Sequence, residues 1–266
     1  MPDLFSLEGR AALVTGGASG IGKAISLALA KAGARVMIGD IDVEAAESAA
    51  VELEAVQTGA AHVPLDVADE RSAVSAVEKT REHFGRIDIL VNNAGVNTVH
   101  GRVTIDRYLS EDWRRVLAVD LDGVFFMSRA VAALMKETGG GRIINIASVL
   151  GIVPARLQSA FVAAKAAVIN LTRSMALELA PDRILVNCIA PGSTLTEGTR
   201  KLFYSEDAAY QEKIQSLLSH IPLARPGEAE EIAAAAVFLA APASSYITGI
   251  VLPVDGGWTA GYLRDW

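Results

Sequence analysis

Short apolar runs, several of them β-branched, alternate along the chain with longer stretches whose apolar positions recur at helical spacing. Ala11–Thr15, Arg35–Gly39, His62–Leu65, Ile87–Val91, Ile143–Ala147, Arg183–Ile189 and Gly249–Pro253 read as strands. Between them the spacing predicts helices over Lys23–Lys31, Val43–Gln57, Ser72–His83, Glu111–Glu137, Gln158–Leu179 and Glu228–Leu239. Strands that are apolar nearly throughout, each followed by a helix, belong to a parallel sheet covered on both faces. The expected fold is therefore α/β: a doubly wound, seven-stranded parallel sheet with helices on both faces. Ser193 to His220 is polar and irregular and reads as a partly helical flap, 193–220; the chain ends in a tail, 254–266. No repeat, linker or low-complexity stretch divides residues 1–266, so one domain is expected.

Composition narrows the choice of partners. Hydrophobic residues make up 51% of the 266 and charged ones 21%, which supports a sizeable core. The net charge of −7 comes without a compensating basic block and speaks against nucleic acid. Cys188 is the single cysteine, so no intrachain disulfide is possible and a reducing compartment is expected. His62, His83, His100 and His220 lack metal-ligand spacing. The first ten residues carry no charged-then-apolar leader pattern. The apolar segment Ile232–Val254 is broken by Pro242, Ser244, Ser245 and Gly249, which rules it out as one membrane span. A soluble, cytoplasmic protein is the expectation.

Chemistry concentrates where the apolar runs end. Gly16, Gly17, Gly20 and Gly22 join the first strand to the first helix. Glycine in such a turn lets backbone approach a pyrophosphate, whose charge the helix N-terminus favours. Asp40 closes the second strand, where an acid can bind both ribose hydroxyls of a dinucleotide; Asp42 reads better as a helix cap. Ser148 stands at the end of the Ile143–Ala147 strand. Phe161 and Lys165 lie four apart on the following helix and so share a face. Each has an ordinary reading by itself: Ser148 as a cap, Lys165 as a solvated helix lysine, Phe161 as a core aromatic.

Taken together, Thr15-Gly16-x-x-x-Gly20-x-Gly22, Asn92-Asn93-Ala94-Gly95, the strand-end Ser148, the helix bearing Lys165, and Pro191-Gly192 resemble the short-chain dehydrogenase/reductase family. The likeness runs from about Gly9 to Gly257. It implies a Rossmann fold and a nicotinamide dinucleotide, NAD. Gly16, Ser19, Gly20, Ile21 and Gly22 would surround the pyrophosphate, and Asp40 and Ile41 would meet the adenosine ribose. Asp66 and Val67 would flank the adenine, with Asn93, Ala94 and Gly95 on the ribose side. Pro191, Gly192, Thr194 and Thr196 would hold the nicotinamide end. Lys165 would bind the nicotinamide ribose, and Ser148 would polarise the substrate oxygen. Asn97 and Arg156 are placed toward the substrate, Arg156 as a clamp for a carboxylate or, equally, as an ordinary exposed loop arginine. The family likeness also implies a homotetramer built through the two Ala-rich helices and the last strand with its tail.

Two positions depart from the family pattern. Asp120, in Leu117-Ala118-Val119-Asp120-Leu121-Asp122-Gly123, stands where the pattern has an Asn supporting a water relay. Phe161 stands where it has the acid/base tyrosine, in register with Ser148 and Lys165. Two functional readings follow. One is an NAD-dependent dehydrogenase/ketoreductase of secondary alcohols or ketones, with a sugar-derived polyol or hydroxy or keto acid as substrate. Its tyrosine has been replaced, by design, and activity is strongly reduced. The other is a natural NAD-binding relative that has lost the chemistry and serves as a sensor or scaffold. The persistence of Ser148, Lys165 and the nicotinamide-end motif favours the first.

Overall fold

The computed structural model describes residues 3–56, 59–197, 199, 214, 216 and 218–261. Seven strands form one parallel sheet in the order β3-β2-β1-β4-β5-β6-β9: β1 (Ala11–Thr15), β2 (Arg35–Asp40), β3 (Ala61–Pro64), β4 (Ile89–Asn92), β5 (Gly141–Ile146), β6 (Ile184–Pro191) and β9 (Val251–Val254). A small parallel pair, β7 (Thr194–Leu195) with β8 (Gly227–Glu228), lies outside it. The expected doubly wound Rossmann sheet is thus present, and its strand order reverses between β1 and β4. Most of the proposed flap, and the tail from 262 onward, lie outside the described residues.

Alternation along the strands divides the core into two layers. Val14, Ile38, Val91, Ile144 and Ile189 face one side. There they meet Ile25 and Leu29 of α1 (Gly20–Lys31), Leu53 of α2 (Val43–Glu54), and Ile232 and Leu239 of α7 (Ala229–Ala240). Leu13, Met37, Leu90, Ile143 and Val186 face the other. They pack on Val77 of α3 (Glu70–Phe84), Met127, Val131 and Met135 of α5 (Gly123–Thr138), and Met175 of α6 (Ser159–Leu179). Ser159–Asp182 is long and apolar enough to cross a membrane by length and composition; in this fold α6 carries buried Ala164, Val168 and Thr172.

The expected single helix over Glu111–Glu137 is not regular. It comprises α4 (Ser110–Leu117), a π-helical turn at Ala118–Asp122, and α5. Such single π turns inside α-helices accompany functional sites. Here the turn carries Asp120, which is fully buried, and leads into Gly123, where a Cβ would lie 2.8 Å from Val67 Cγ2. Hydrophobic period gives no sign of the extra residue, because both flanking segments keep their apolar faces. The other boundaries shift by a few residues: the second helix ends at Glu54, not Gln57, and the last strand begins at Val251, not Gly249.

Asp112 on α4 ties down the segment after β4. Its carboxylate accepts from Thr98 Oγ1 at 2.5 Å, His100 Nδ1 at 3.0 Å and the amide of Val99 at 3.3 Å. The Thr98 hydroxyl, foremost among these donors, lowers the carboxyl pKa from 3.8 to about 2 against the opposing effect of burial. A depressed carboxylate pKa stabilises the fold above the unfolded-state value, and that contribution is lost as the pH falls through the folded one. The Asp112 clasp should therefore hold at neutral pH and open between about pH 4 and pH 2. The protection of the Val99 and His100 amides, as exchange measured against the intrinsic rate at each pH, should fall over that window in the parent chain. In Asp112→Ala protection should be low at every pH; unchanged protection in this variant would refute the clasp.

Candidate active site

The C-terminal ends of β1, β4, β5 and β6 converge at the strand-order reversal, the place in open α/β sheets where ligands bind. A buried amide network fixes those ends. Asn92 Nδ2 donates to Asn145 Oδ1 at 2.8 Å and to Ser128 Oγ at 2.9 Å, and Asn145 Nδ2 donates to Thr172 Oγ1 at 2.8 Å. Asn93 binds β1 rather than an open cleft: its Nδ2 donates to the carbonyls of Thr15 and Gly16 at 3.0 and 2.9 Å. The amides of Asn93 and Ala94 both donate to Thr15 Oγ1, each at 3.0 Å. The Asn92-Asn93-Ala94-Gly95 run thus clamps two strand ends together.

The glycine turn fits an anionic ligand by two observations. A Cβ on Gly22 would lie 2.0 Å from the Gly16 carbonyl oxygen, and one on Gly16 would lie 2.9 Å from Ala94 Cα, so the close approach of helix to strand requires glycine at both. The N-terminus of α1 is also left open. Ser19 is exposed and makes no side-chain cap, and no acidic residue occupies the first turn. By contrast α2 and α3 are capped by Asp42 and Asp69 and each has a glutamate in its first turn. Unpaired amides at a helix N-terminus without a competing carboxylate suit a phosphate. Ile21 packs half-buried on the core behind the turn.

Of the remaining cofactor candidates, Asp40 and Thr196 lie against this turn. Asp40 Oδ2 accepts from the amide of Ala18 at 3.1 Å and Oδ1 from that of Asp42 at 3.1 Å, which holds the carboxylate beside the glycine turn; Ile41 next to it is 73% exposed. Asp66, after β3, accepts from the amide of Ala68 at 2.9 Å, and the side chain of Val67 is buried against Gly123. On the far side Pro191 ends β6, the amide of Gly192 donates to Val254 O at 2.9 Å, and Thr194 Oγ1 donates to Gly192 O at 3.1 Å. Thr196 comes near the glycine turn, its Cγ2 lying 3.3 Å from where a Gly20 Cβ would be.

Lys165 is the centre of the site. It is 4% exposed, and its Nζ donates to the carbonyl of Ile146 at 3.3 Å. It also lies 3.0 Å from Asp120 Oδ2, in charge contact but without hydrogen-bond alignment. Asp120 Oδ1 accepts from the Val96 amide at 2.7 Å. Phe161 presents its ring 5.5 Å from Nζ. Ser148, two residues beyond Ile146, accepts from the Leu150 amide at 3.1 Å as the cap of a short 3-10 turn, which leaves its hydroxyl proton free to donate. The cap and the catalytic readings of Ser148 are therefore compatible.

Two further groups, Gln158 and Tyr108, were not singled out in the sequence. Gln158, 5% exposed, accepts from Asn97 Nδ2 at 3.1 Å, bridging the segment after β4 to the start of α6. It follows Leu157, a non-glycine residue at φ +67°, so the loop end is held in a conformation rare for a γ-branched side chain. Tyr108 packs in one apolar cluster with Val96 and Phe161, and its phenol oxygen is buried without a partner among the described residues. Arg156 is exposed and forms no ion pair among the described residues. No group of three or more His, Cys, Asp or Glu among the described residues could hold a metal.

Comparison with known proteins agrees with this fold. A family model described as Enoyl-(Acyl carrier protein) reductase matches residues 16–259. A 3-oxoacyl-[acyl-carrier-protein] reductase of Thermotoga maritima is 42% identical over 251 residues, 94% of this chain and 98% of the relative. A galactitol 2-dehydrogenase (L-tagatose-forming) of Cereibacter sphaeroides is also 42% identical, over 96% of this chain and 97% of its own length. The crystal structure of a gluconate 5-dehydrogenase from Burkholderia cenocepacia, in complex with NADP and tartrate, superposes with a TM-score of 0.89 at 38% identity, covering 98% of this chain and 99% of that one. With its seven-stranded sheet, open glycine turn and buried lysine in family register, this chain belongs to the short-chain dehydrogenase/reductase family.

Proposed function

We propose that the chain is an NAD-dependent oxidoreductase transferring hydride between NAD(H) and a secondary alcohol or ketone, with strongly reduced turnover because phenylalanine occupies the acid/base position. The observation that carries this reading is the set Ser148, Phe161 and Lys165 at the end of β5 and on α6, with Lys165 buried at the switch point. The dinucleotide supplies or accepts the hydride when bound. Gly16, Gly20, Gly22 and the open end of α1 would hold its phosphates, and Asp40 its adenosine ribose. Ser148 orients the substrate oxygen by donating its free proton. Phe161 can neither take nor give the hydroxyl proton, so turnover depends on solvent. General acid–base catalysis is worth about 10²–10⁴-fold, and this loss should fall on kcat, since the missing group acts in the transition state.

The relatives act on galactitol and gluconate by name, which supports a polyol or a sugar-derived hydroxy or keto acid as substrate. Exposed Arg156 suits the far-end carboxylate of such an acid. A homotetramer is part of the same proposal. Phe125 on α5 is 43% exposed and Leu177 on α6 is 81% exposed, and β9 is an outer strand of the sheet. These are surfaces suited to isologous contacts. The buried Cys188 is compatible with a cytoplasmic setting. The second reading, an NAD-binding sensor or scaffold, is favoured by Phe161 alone.

Three measurements test these statements. NAD⁺ should bind at least about tenfold more tightly than NADP⁺ by titration calorimetry, because Asp40 would face a 2′-phosphate with like charge. Asp40→Ser should narrow the gap; equal affinity in the parent chain would remove the proposed NAD preference. Light scattering at micromolar concentration should give a tetramer, and a monomer would count decisively against the assembly. Finally, the variant carrying both Phe161→Tyr and Asp120→Asn should oxidise some secondary alcohol, polyol or hydroxy acid with kcat raised by about 10²-fold or more over the parent. Intact NAD binding with no gain on a broad panel would leave the sensor reading.

A further inference from the structure

A buried ammonium requires compensation, and in this site the sources can be enumerated. Lys165 Nζ has the Ile146 carbonyl at 3.3 Å, the face of Phe161 at 5.5 Å, and one carboxylate, Asp120, at 3.0 Å. The carbonyl and ring offer partial charges; among the described residues only Asp120 offers a full one. The dependence is mutual. Asp120 is fully buried, and with Oδ1 committed to the Val96 amide its Oδ2 has, among the described residues, no partner except that ammonium. The pair lies directly beneath Gly95, where a Cβ would sit 3.1 Å from Asp120 Oδ2 and 3.3 Å from Lys165 Nζ. The two departures from the family pattern, Asp120 and Phe161, therefore flank the same lysine.

We propose that Asp120 is a charge-balancing, positioning residue that closes Lys165 into an ion pair, so that this site is built around phenylalanine and a hydroxyl restored at position 161 is not by itself activated. A lysine lowers the pKa of a neighbouring phenol by favouring its charged form, and a carboxylate raises it by the same mechanism. With Asp120 present the two effects oppose each other at a phenol placed on Phe161's carbon skeleton. Replacing Asp120 by the neutral, nearly isosteric asparagine removes the opposition and leaves the amide oxygen to accept from Val96. Lys165 also acts on the Cys188 thiol on β6, which burial keeps neutral by pushing its pKa up to about 11. Asp120 on the π turn and Lys165 on α6 thus set the local field between them. The catalytic consequence rests on the dehydrogenase reading; the electrostatic one does not.

The test is a tyrosinate titration by ultraviolet difference absorbance on the cofactor-free protein. Five tyrosines are already present, so each chain carrying Phe161→Tyr is measured against the matched chain that keeps Phe161. In Phe161→Tyr the new phenol should titrate at or above about 10, its ordinary value. In Phe161→Tyr with Asp120→Asn it should titrate about one to three pH units lower. Equal midpoints overturn the proposal. Should the Asp120→Asn chain fail to fold, Phe161→Tyr alone decides, since a phenol titrating below about 9 would show that Asp120 does not offset Lys165. In kinetics with any substrate the double variant oxidises, Phe161→Tyr should be at least about tenfold slower in kcat at neutral pH and should recover as the pH rises; equal rates and pH profiles overturn the proposal. Shifted midpoints without turnover on any substrate support the charge balance while removing the dehydrogenase reading.

Discussion

Every strand of the main sheet points the same way, and that constraint organises the molecule. Parallel strands need a crossover between each pair, so helices must cover both faces and all the strand C-termini must emerge on one edge. The order reverses between β1 and β4, so the loops that follow these two strands part there and leave a crevice. The glycine turn, the Asn92-Asn93-Ala94-Gly95 clamp, Ser148 and Pro191 come from four different strand ends and meet only because of this polarity. The opposite edge has a different character: Asp88 is held there by Arg10 and Arg86 at 3.0 and 2.5 Å, closing the bottom of the sheet with charge.

This geometry explains what could be read from the sequence. Strand and helix periods were visible because the central strands are buried on both faces and each helix packs on one, so the apolar pattern is a direct record of burial. The glycine turn was legible for a related reason: at Gly22 no larger residue fits, and steric exclusion leaves a compositional mark. The register of Ser148, Phe161 and Lys165 followed from helical spacing and the family likeness. What stayed hidden depends on contacts across the fold. The pairing of Asn97 with Gln158 joins positions far apart in the chain. The clasp at Asp112 gathers donors from a segment whose sequence, Thr98-Val99-His100, looks like an ordinary loop. Asp120 could be noted as unusual, but its partner became evident only with α4, α6 and β5 in place.

The site also illustrates how polar burial is managed in a largely aliphatic interior. The Asn92–Asn145–Thr172 chain pairs neutral groups with neutral groups, leaving the Asn92 Oδ1 without a partner among the described residues, while elsewhere in the same site Lys165 and Asp120 match full charges. Replacing either member of a charge pair leaves the other stranded, a cost of about 3–5 kcal/mol for buried pairs. Neutral networks degrade more gently, at about 1–3 kcal/mol for each group left unsatisfied. The difference makes the lysine–aspartate contact the least forgiving polar feature at this edge of the sheet.

The π turn at Ala118–Asp122 carries a consequence for chain length. It accommodates one residue more than a regular helical turn would, and each residue rotates a helix by about 100°. Excising one residue from Ala118 or Val119 would let α4 and α5 fuse into an unbroken α-helix, locally the more favourable backbone. The same excision would turn the Asp120 side chain roughly a quarter of a revolution away from Lys165, or else turn the Met127 and Val131 face off the sheet. The helix cannot keep both alignments without its surplus residue. Insertions and deletions in this short segment therefore meet a barrier that substitutions there do not, even where the loops on either side of the helix tolerate changes of length.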